Sequence, residues 1–464
     1  MKLRDYDIVY FLGIGGIGMS ALARWFLHMG KQVSGYDLSE TEITNELIKE
    51  GAEVHYEDEP AKIPSIVKDH PERTLVIYTP ALPSDHQELN YLRAEKYNII
   101  KRSAALGMIS KDHFTVAVAG THGKTTTTTM IAHLLKAADV NFTAFMGGIS
   151  QNYLTNLLIN GEYKKDTIIV AEADEYDRSF LQLHPNIAVV TSADPDHLDI
   201  FGSTAEIQKA FGDFISQIDG NGSLVIKSGL EKELINNDNR PPRVISYSLD
   251  SAEVTTGSIS VDRGTYVFDY LAREETIEPL ELNVPGNHNV ENALAAITVA
   301  RLLQVPTHKI KEAIKAFGGV KRRFEYILKT TDLVIIDDYA HHPVELSGLI
   351  DTVKRLFPGK KVTAIFQPHL YTRTRDFATG FAESLDQADE VILLEIYPAR
   401  EKPIQGVTSG LISSQIKSTQ TTLVSKKSIF EVLKKGNFEV VVTIGAGDIA
   451  QMVEPIKDVL INRT

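Results

Sequence analysis

No cysteine occurs among the 464 residues of this chain. Disulfides, thiolate catalysis and cysteine-ligated zinc are therefore excluded, and a reducing cytosol is compatible with the composition. A basic excess is missing too. The formal net charge of −13 argues against a general nucleic-acid binder, which carries a basic face. No uninterrupted apolar run approaches the ~18 residues of a membrane span, and the start MKLRDYDIVYFLGIGG has no long apolar signal core. A cytoplasmic location and no membrane span are the expectation. What remains, 43% hydrophobic and 23% charged, is the composition of a soluble globular protein, long enough for about three domains.

Against these absences stands a phosphate-binding signature, VAVAGTHGKTTTTT at 116–129. An apolar strand over Phe114–Val118 runs into Gly120, Thr121, His122, Gly123, Lys124, Thr125 and Thr126, and a helix is predicted over Thr125–Ala137. Glycines admit backbone N–H groups to phosphate oxygens, and the helix N-terminus adds a favourable dipole. Lys124 can reach the β- and γ-phosphates of ATP or GTP, and the Thr125 hydroxyl can ligate Mg²⁺. The usual loop spacing asks for glycine where Val118 stands.

A second glycine loop comes earlier. Gly13, Gly15 and Gly18, with the extra Gly16, form GxGxxG between a strand and a helix, and Asp37 follows the next strand. Alone this is the dinucleotide fingerprint, with Asp37 near a ribose, and points to an NAD-dependent oxidoreductase. Another diphosphate ligand is the favoured reading over a nicotinamide cofactor, and plain helix–strand packing is the remaining one. A chain with both loops is expected to join two phosphorylated ligands rather than to move hydride.

Further candidates sit after strands. EADEYD at 172–177 is a carboxylate cluster, and Glu172, first out of the strand, is the expected Mg²⁺ ligand. In TSADPDHLD at 191–199, His197 stands among acidic residues that can orient an imidazole for a second cation. PGNHNVEN at 285–292 offers either asparagine amides for an adenine edge or a helix cap at Asn287 or Asn289. DDYAHHP at 337–343 follows a strand, as does QPHLYTRTR at 367–375, whose two arginines beside a histidine and a tyrosine are suited to gripping a carboxylate or phosphate, and Arg322 and Arg323 can reach a phosphate.

Short apolar strands alternate with helical stretches throughout, which predicts parallel sheets faced by helices. The expected fold is α/β in three domains. An N-terminal Rossmann-like domain covers 1–106. A central ATPase-type parallel sheet with added β structure covers 107–320, and a C-terminal Rossmann-like domain covers 321–464. Gly318 and Gly319 are the expected hinge.

In order along nearly the whole chain, GIGGIGMS, AGTHGKTTT, EADEYD, DPDHLD, GNHNVENALAA, DDYAHHP, QPHLYTRTRD, YPAREKPIQGV and GAGDI resemble the Mur ligase family. The family's shorter AGTHGKT loop accounts for Val118. The resemblance implies that Gly13, Gly15, Gly16, Gly18 and Asp37 bind a UDP-sugar rather than NAD. It also implies ATP-dependent phosphorylation of a muramoyl carboxylate and attack by an amino-acid amine, L-alanine, in peptidoglycan precursor synthesis. Residue by residue, Lys124 would stabilise the transferring phosphoryl group, while Thr125 and Glu172 would hold one Mg²⁺ and His197 a second cation. Asn289 would contact adenine, Arg323 and Asp338 would complete the ATP site, and His369 and Arg373 would face the amino acid. Closure of the third domain on the second with ATP is a further expectation. Two departures are visible. Leu370 stands where many relatives carry arginine, and Gly212 aligns with a modified lysine that this branch is expected to lack. A ligase attaching a recycled murein tripeptide to the same sugar, and a non-catalytic nucleotide-binding regulator, are rival readings. The expected assembly is a monomer or homodimer.

Overall fold

The computed structural model describes residues 3–194, 201, 203–262, 264–273, 275–399 and 401–462. Its three sheets divide between two compact units. One holds residues 1–283 and 287–318, the other 284–286 and 319–464.

The first sheet has the strands β1 (Ile8–Leu12), β2 (Gln32–Tyr36), β3 (Glu53–His55), β4 (Thr74–Tyr78) and β5 (Asn98–Lys101). They lie in the order β3-β2-β1-β4-β5, all parallel. Parallel strands buried on both faces read as continuous apolar runs, and IVYFL in β1 does so with every residue buried. Val9 and Phe11 pack into one cluster, and Ile8, Tyr10 and Leu12 into another.

The second sheet is built around β6 (Thr115–Ala119), β7 (Phe142–Phe145), β8 (Leu157–Asn160), β9 (Ile168–Glu172), β10 (Ile187–Val190), β11 (Ser223–Lys227) and β12 (Arg243–Tyr247). β13 (Val254–Thr255), β14 (Ser260–Asp262), β15 (Thr265–Ala272) and β16 (Glu275–Leu282) extend it. β6, β7 and β9–β12 run parallel, β8 is an antiparallel edge, and β13–β16 supply the added antiparallel structure. The sequence-predicted strand over Phe114–Val118 starts one residue late, because Phe114 is exposed and β6 opens at Thr115. The helix runs over Lys124–Ala137 and carries the whole buried threonine run, Thr125–Thr129. Threonine is a mediocre helix former, so burial of these side chains outweighs propensity here.

Both sheets belong to the first unit, and a buried polar seam joins them. Arg24, on helix Ile17–His28, donates through Nη1 to Asn156 Oδ1 at 2.5 Å and pairs with Glu46 and Glu50. Asn156, fully buried, donates back to Ser20 Oγ at 2.8 Å. A buried guanidinium is tolerable only with such partners.

The second unit holds β17 (Glu325–Lys329), β18 (Val334–Asp338), β19 (Val362–Phe366), β20 (Glu390–Leu393), β21 (Gln420–Leu423) and β22 (Val440–Ile444). The order is β17-β18-β22-β19-β20-β21, parallel except for the edge strand β17. All three sheets are thus of the α/β kind expected. No helix among the described residues is long and apolar enough to cross a membrane.

Candidate active site

β6 lies between β9 and β10, so the segments leaving the carboxyl ends of three parallel strands converge. Gly120 and Gly123 have φ of +140° and +79°, values that side chains disfavour. Space imposes the same choice. A Cβ on Gly120 would stand 2.1 Å from Thr191 Oγ1, and one on Gly123 2.6 Å from Asn292 Oδ1. Gly123 caps helix Lys124–Ala137 without a side-chain hydrogen bond, which leaves the first amides to an anion. Ser192 braces the loop. Its Oγ accepts from the His122 N–H at 2.7 Å and lies 2.9 Å from Thr121 Oγ1. The Thr191 hydroxyl donates to the His122 carbonyl.

Lys124 is folded back into this loop. Its Nζ donates to the Gly120 carbonyl and lies 2.9 Å from Glu175, whose side chain is almost wholly buried. Burial works to depress the ammonium, but the carboxylates of Glu175, Glu172 and Asp174 outweigh it and hold the pKa above its ordinary value. Lys124 therefore enters any reaction protonated.

Thr125 and Glu172 meet as well. Thr125 Oγ1 donates to Glu172 Oε1 at 3.0 Å, and the Gly147 N–H donates to Oε2 at 2.9 Å. A hydroxyl and a carboxylate are hard oxygen donors of the kind Mg²⁺ takes. Among the described residues no group of three or more histidine and acidic side chains is placed to hold a metal by itself. His197, with Asp196 and Asp199, lies outside the described residues.

Helix Asn287–Leu302 packs on helix Lys124–Ala137. Asn289 is its third residue and buried, inside the helix rather than at its cap. Asn292 Nδ2 donates to Asn289 Oδ1 at 3.4 Å, so Asn289 connects through Asn292 to the phosphate loop at Gly123. Thr126 is buried in the first turn.

In the first sheet Gly13 has φ +86°, and its N–H donates to the Tyr36 carbonyl at 2.8 Å. Gly16 caps helix Ile17–His28 with no side-chain hydrogen bond. Asp37 braces this loop: Oδ2 accepts from the Gly15 N–H at 2.7 Å and Oδ1 from the Leu38 N–H at 2.8 Å. Gly18 faces the Arg102 guanidinium.

The second unit gathers its candidates at the carboxyl edge of β18, β19 and β22. Asp338 accepts from the N–H groups of Phe324 and Ala340 at 2.7 and 2.8 Å. Burial raises its carboxyl to about 6 against the pull of Arg323 and those donors. The Arg323 guanidinium lies 5.5 Å from the Tyr339 ring. His369 stacks on Tyr397 at 5.7 Å between ring centroids. Leu370 has φ +69°, an uncommon conformation for a branched side chain. It is held by its N–H on the Tyr397 carbonyl at 2.9 Å and caps helix Tyr371–Leu385, which carries half-buried Arg373 in its first turn.

Sequence reasoning singled out neither Ser192, Gly147 nor Asn292, nor Glu175 as the partner of Lys124. Ser192, Glu175 and Asn292 stand within quoted motifs and so were signalled; Gly147 matters only through contacts distant in sequence.

Comparison with known proteins gives three consecutive family matches. The Mur ligase family catalytic domain covers residues 8–114, the Mur ligase middle domain 118–300, and the Mur ligase glutamate ligase domain 322–447. A UDP-N-acetylmuramate–L-alanine ligase of Christiangramia forsetii is 46% identical over 454 residues, 98% of this chain and 97% of the relative. The protein of that name in Parabacteroides distasonis is 47% identical over 467 residues, 99% of this chain and 98% of its own. The crystal structure of the UDP-N-acetylmuramate–alanine ligase of Thermotoga maritima superposes with a TM-score of 0.81 at 30% identity, covering 97% of this chain and 98% of that one. A murein peptide ligase of Psychrobacter arcticus, at 23% identity and a TM-score of 0.72 over 98% of this chain and 99% of its own, shares the fold.

Proposed function

The chain belongs to the Mur ligase family, and we propose that it joins L-alanine to the carboxylate of UDP-N-acetylmuramate, consuming ATP and releasing ADP and phosphate. The step belongs to peptidoglycan precursor synthesis, and a cytoplasmic location is part of the same proposal. The relatives that span almost the whole chain carry this activity in their names. The observation that carries the chemistry is the phosphate loop, with Lys124 on Glu175 and the Thr125 hydroxyl on Glu172. An oxidoreductase needs neither.

The carboxylate oxygen of the sugar attacks the γ-phosphorus, ADP departs, and an acyl phosphate forms. The free amine of L-alanine then adds to the acyl carbon, phosphate leaves with one former carboxylate oxygen, and the proton shed by the nitrogen passes to solvent. Lys124 leaves Glu175 for the phosphates and offsets charge that grows in the transfer. Thr125 and Glu172 are the residues that would hold Mg²⁺, which supplies charge neutralisation between phosphate oxygens. His197 is assigned to a second cation.

Residues 1–106 take the UDP-sugar on Gly13, Gly15, Gly16, Gly18 and Asp37, the last as the brace of the loop. Residues 107–320 take ATP on Gly120–Thr126, with Asn289 toward adenine; Arg323 and Asp338 are also assigned to the nucleotide. Residues 321–464 take L-alanine, with His369 and Arg373 on either side of the strained Leu370. Strain of that kind is kept where a turn has a task.

Turnover with UDP-N-acetylmuramate labelled with ¹⁸O in the lactyl carboxylate tests the reading. One labelled oxygen should appear in the released phosphate for each amide formed. Unlabelled phosphate would exclude the acyl phosphate route.

A further inference from the structure

One side chain lies between the helix that follows the first glycine loop and the carboxylate segment that follows β9. Arg102 opens helix Arg102–Lys111 directly after β5, and so leaves the sheet at its carboxyl edge, where open parallel sheets take ligands. Its Nη2 donates to Asp174 Oδ2 at 2.9 Å. Its Nη1 lies over Gly18, in the first turn of the helix that follows the glycine loop; a Cβ there would stand 2.1 Å away. Asp174 is two residues from Glu172 and next to Glu175, and its charge helps hold Lys124 protonated. The Arg102 and Asp174 side chains are 24% and 35% exposed, and a pair so open to water adds little stability by itself.

We propose that Arg102 is a positioning residue that couples binding of the nucleoside-diphosphate sugar to the state of the phosphate loop. The inference rests on the reading of the Gly13–Gly18 loop as a diphosphate site. A diphosphate at the N-terminus of helix Ile17–His28 adds anionic charge on the Nη1 side of the guanidinium. The planar fork then holds the diphosphate and Asp174 together, which a lysine, a single point of charge, does not do. On the opposite flank the same helix is pinned through Arg24 to Asn156. The Asn156 carbonyl accepts from the Met146 N–H, next to the Gly147 amide that binds Glu172. These hydrogen bonds tie the helix to the Glu172 segment, so a charge placed at Arg102 acts on the carboxylates beside Lys124. Sugar and nucleotide should each tighten the other by the same factor, because coupling is reciprocal.

The test is calorimetric binding of UDP-N-acetylmuramate with and without a non-hydrolysable ATP analogue and Mg²⁺. The proteins are the wild type, Arg102→Lys, Asp174→Asn and Gly15→Val. Wild type should bind the sugar at least about fivefold tighter with the analogue present, within the usual range of coupling. Asp174→Asn should bind the sugar alone within about twofold of wild type and lose the enhancement. Arg102→Lys should lose it as well despite keeping the charge, and its KM for the sugar should no longer depend on ATP. A coupling factor that survives in both variants, or its absence from wild type, overturns the inference. Undiminished sugar affinity in Gly15→Val would instead remove the diphosphate reading on which the inference rests.

Discussion

Glu88 is fully buried beneath the first sheet, where Tyr10 donates its hydroxyl to Oε2 at 2.7 Å and His55 Nε2 lies 3.4 Å from Oε1. Asp58 takes the backbone N–H of Glu88 and pairs with His86. Burial raises the Glu88 carboxyl from 4.5 to about 7, with Asp58 adding to the shift and the Tyr10 hydrogen bond opposing it. The folded chain therefore keeps a proton that the unfolded chain releases. That contribution to stability is complete below pH 4.5 and is lost as pH rises through about 7. At about 1.4 kcal/mol per pH unit the interval amounts to about 3 kcal/mol. Glu88→Gln keeps an acceptor for Tyr10 and never ionises. Relative to wild type it should gain about 3 kcal/mol between pH 4 and pH 8. Burial lowers the pKa of His55 and His86 and works in the opposite sense, but both histidines are present in each protein and cancel in the difference. The single tryptophan, Trp25, lies in the same unit and packs on Phe26, Phe145 and Tyr163. Its fluorescence during urea unfolding, followed across pH, reads the effect. Parallel stability profiles for the two proteins would refute the assignment of a buried, proton-holding Glu88.

Lys124→Ala should abolish turnover and leave UDP-N-acetylmuramate affinity nearly intact by calorimetry, since the lysine and the Gly13–Gly18 loop belong to different sheets. Gly123→Ala imposes a left-handed conformation on a side chain and crowds Asn292 Oδ1; at about 1–2 kcal/mol, ATP should bind roughly tenfold more weakly by equilibrium dialysis. Asn156→Ala strips a buried partner from Arg24 and Ser20, and should cost about 2–4 kcal/mol in the unfolding transition seen by Trp25.

Where chemistry and backbone conformation coincide, the sequence was legible. Gly120, Gly123, Lys124 and Thr125 form a compact signal because only glycine fits those φ values and clearances. The apolar runs of β1, β6 and β22 announced parallel strands buried on both faces. Asp37 was legible as a residue of the glycine loop, but its hold on the Gly15 amide was not. The partners of Arg102 and Tyr10 lie 72 and 78 residues away along the chain. No local pattern encodes such pairs; they exist because packing brings the ends of β5 and β9 together, and β1 against the start of helix Gln87–Ala94. The positive φ of Leu370 was equally invisible, since nothing in HLYTR announces a left-handed turn at a leucine.

Phosphate release with UDP-N-acetylmuramate, ATP and Mg²⁺, compared across L-alanine, glycine, L-serine and murein tripeptide, decides which amine this ligase accepts. Release should depend on all components and be fastest with L-alanine. Preference for the tripeptide, or no release with any acceptor, would contradict the proposed function.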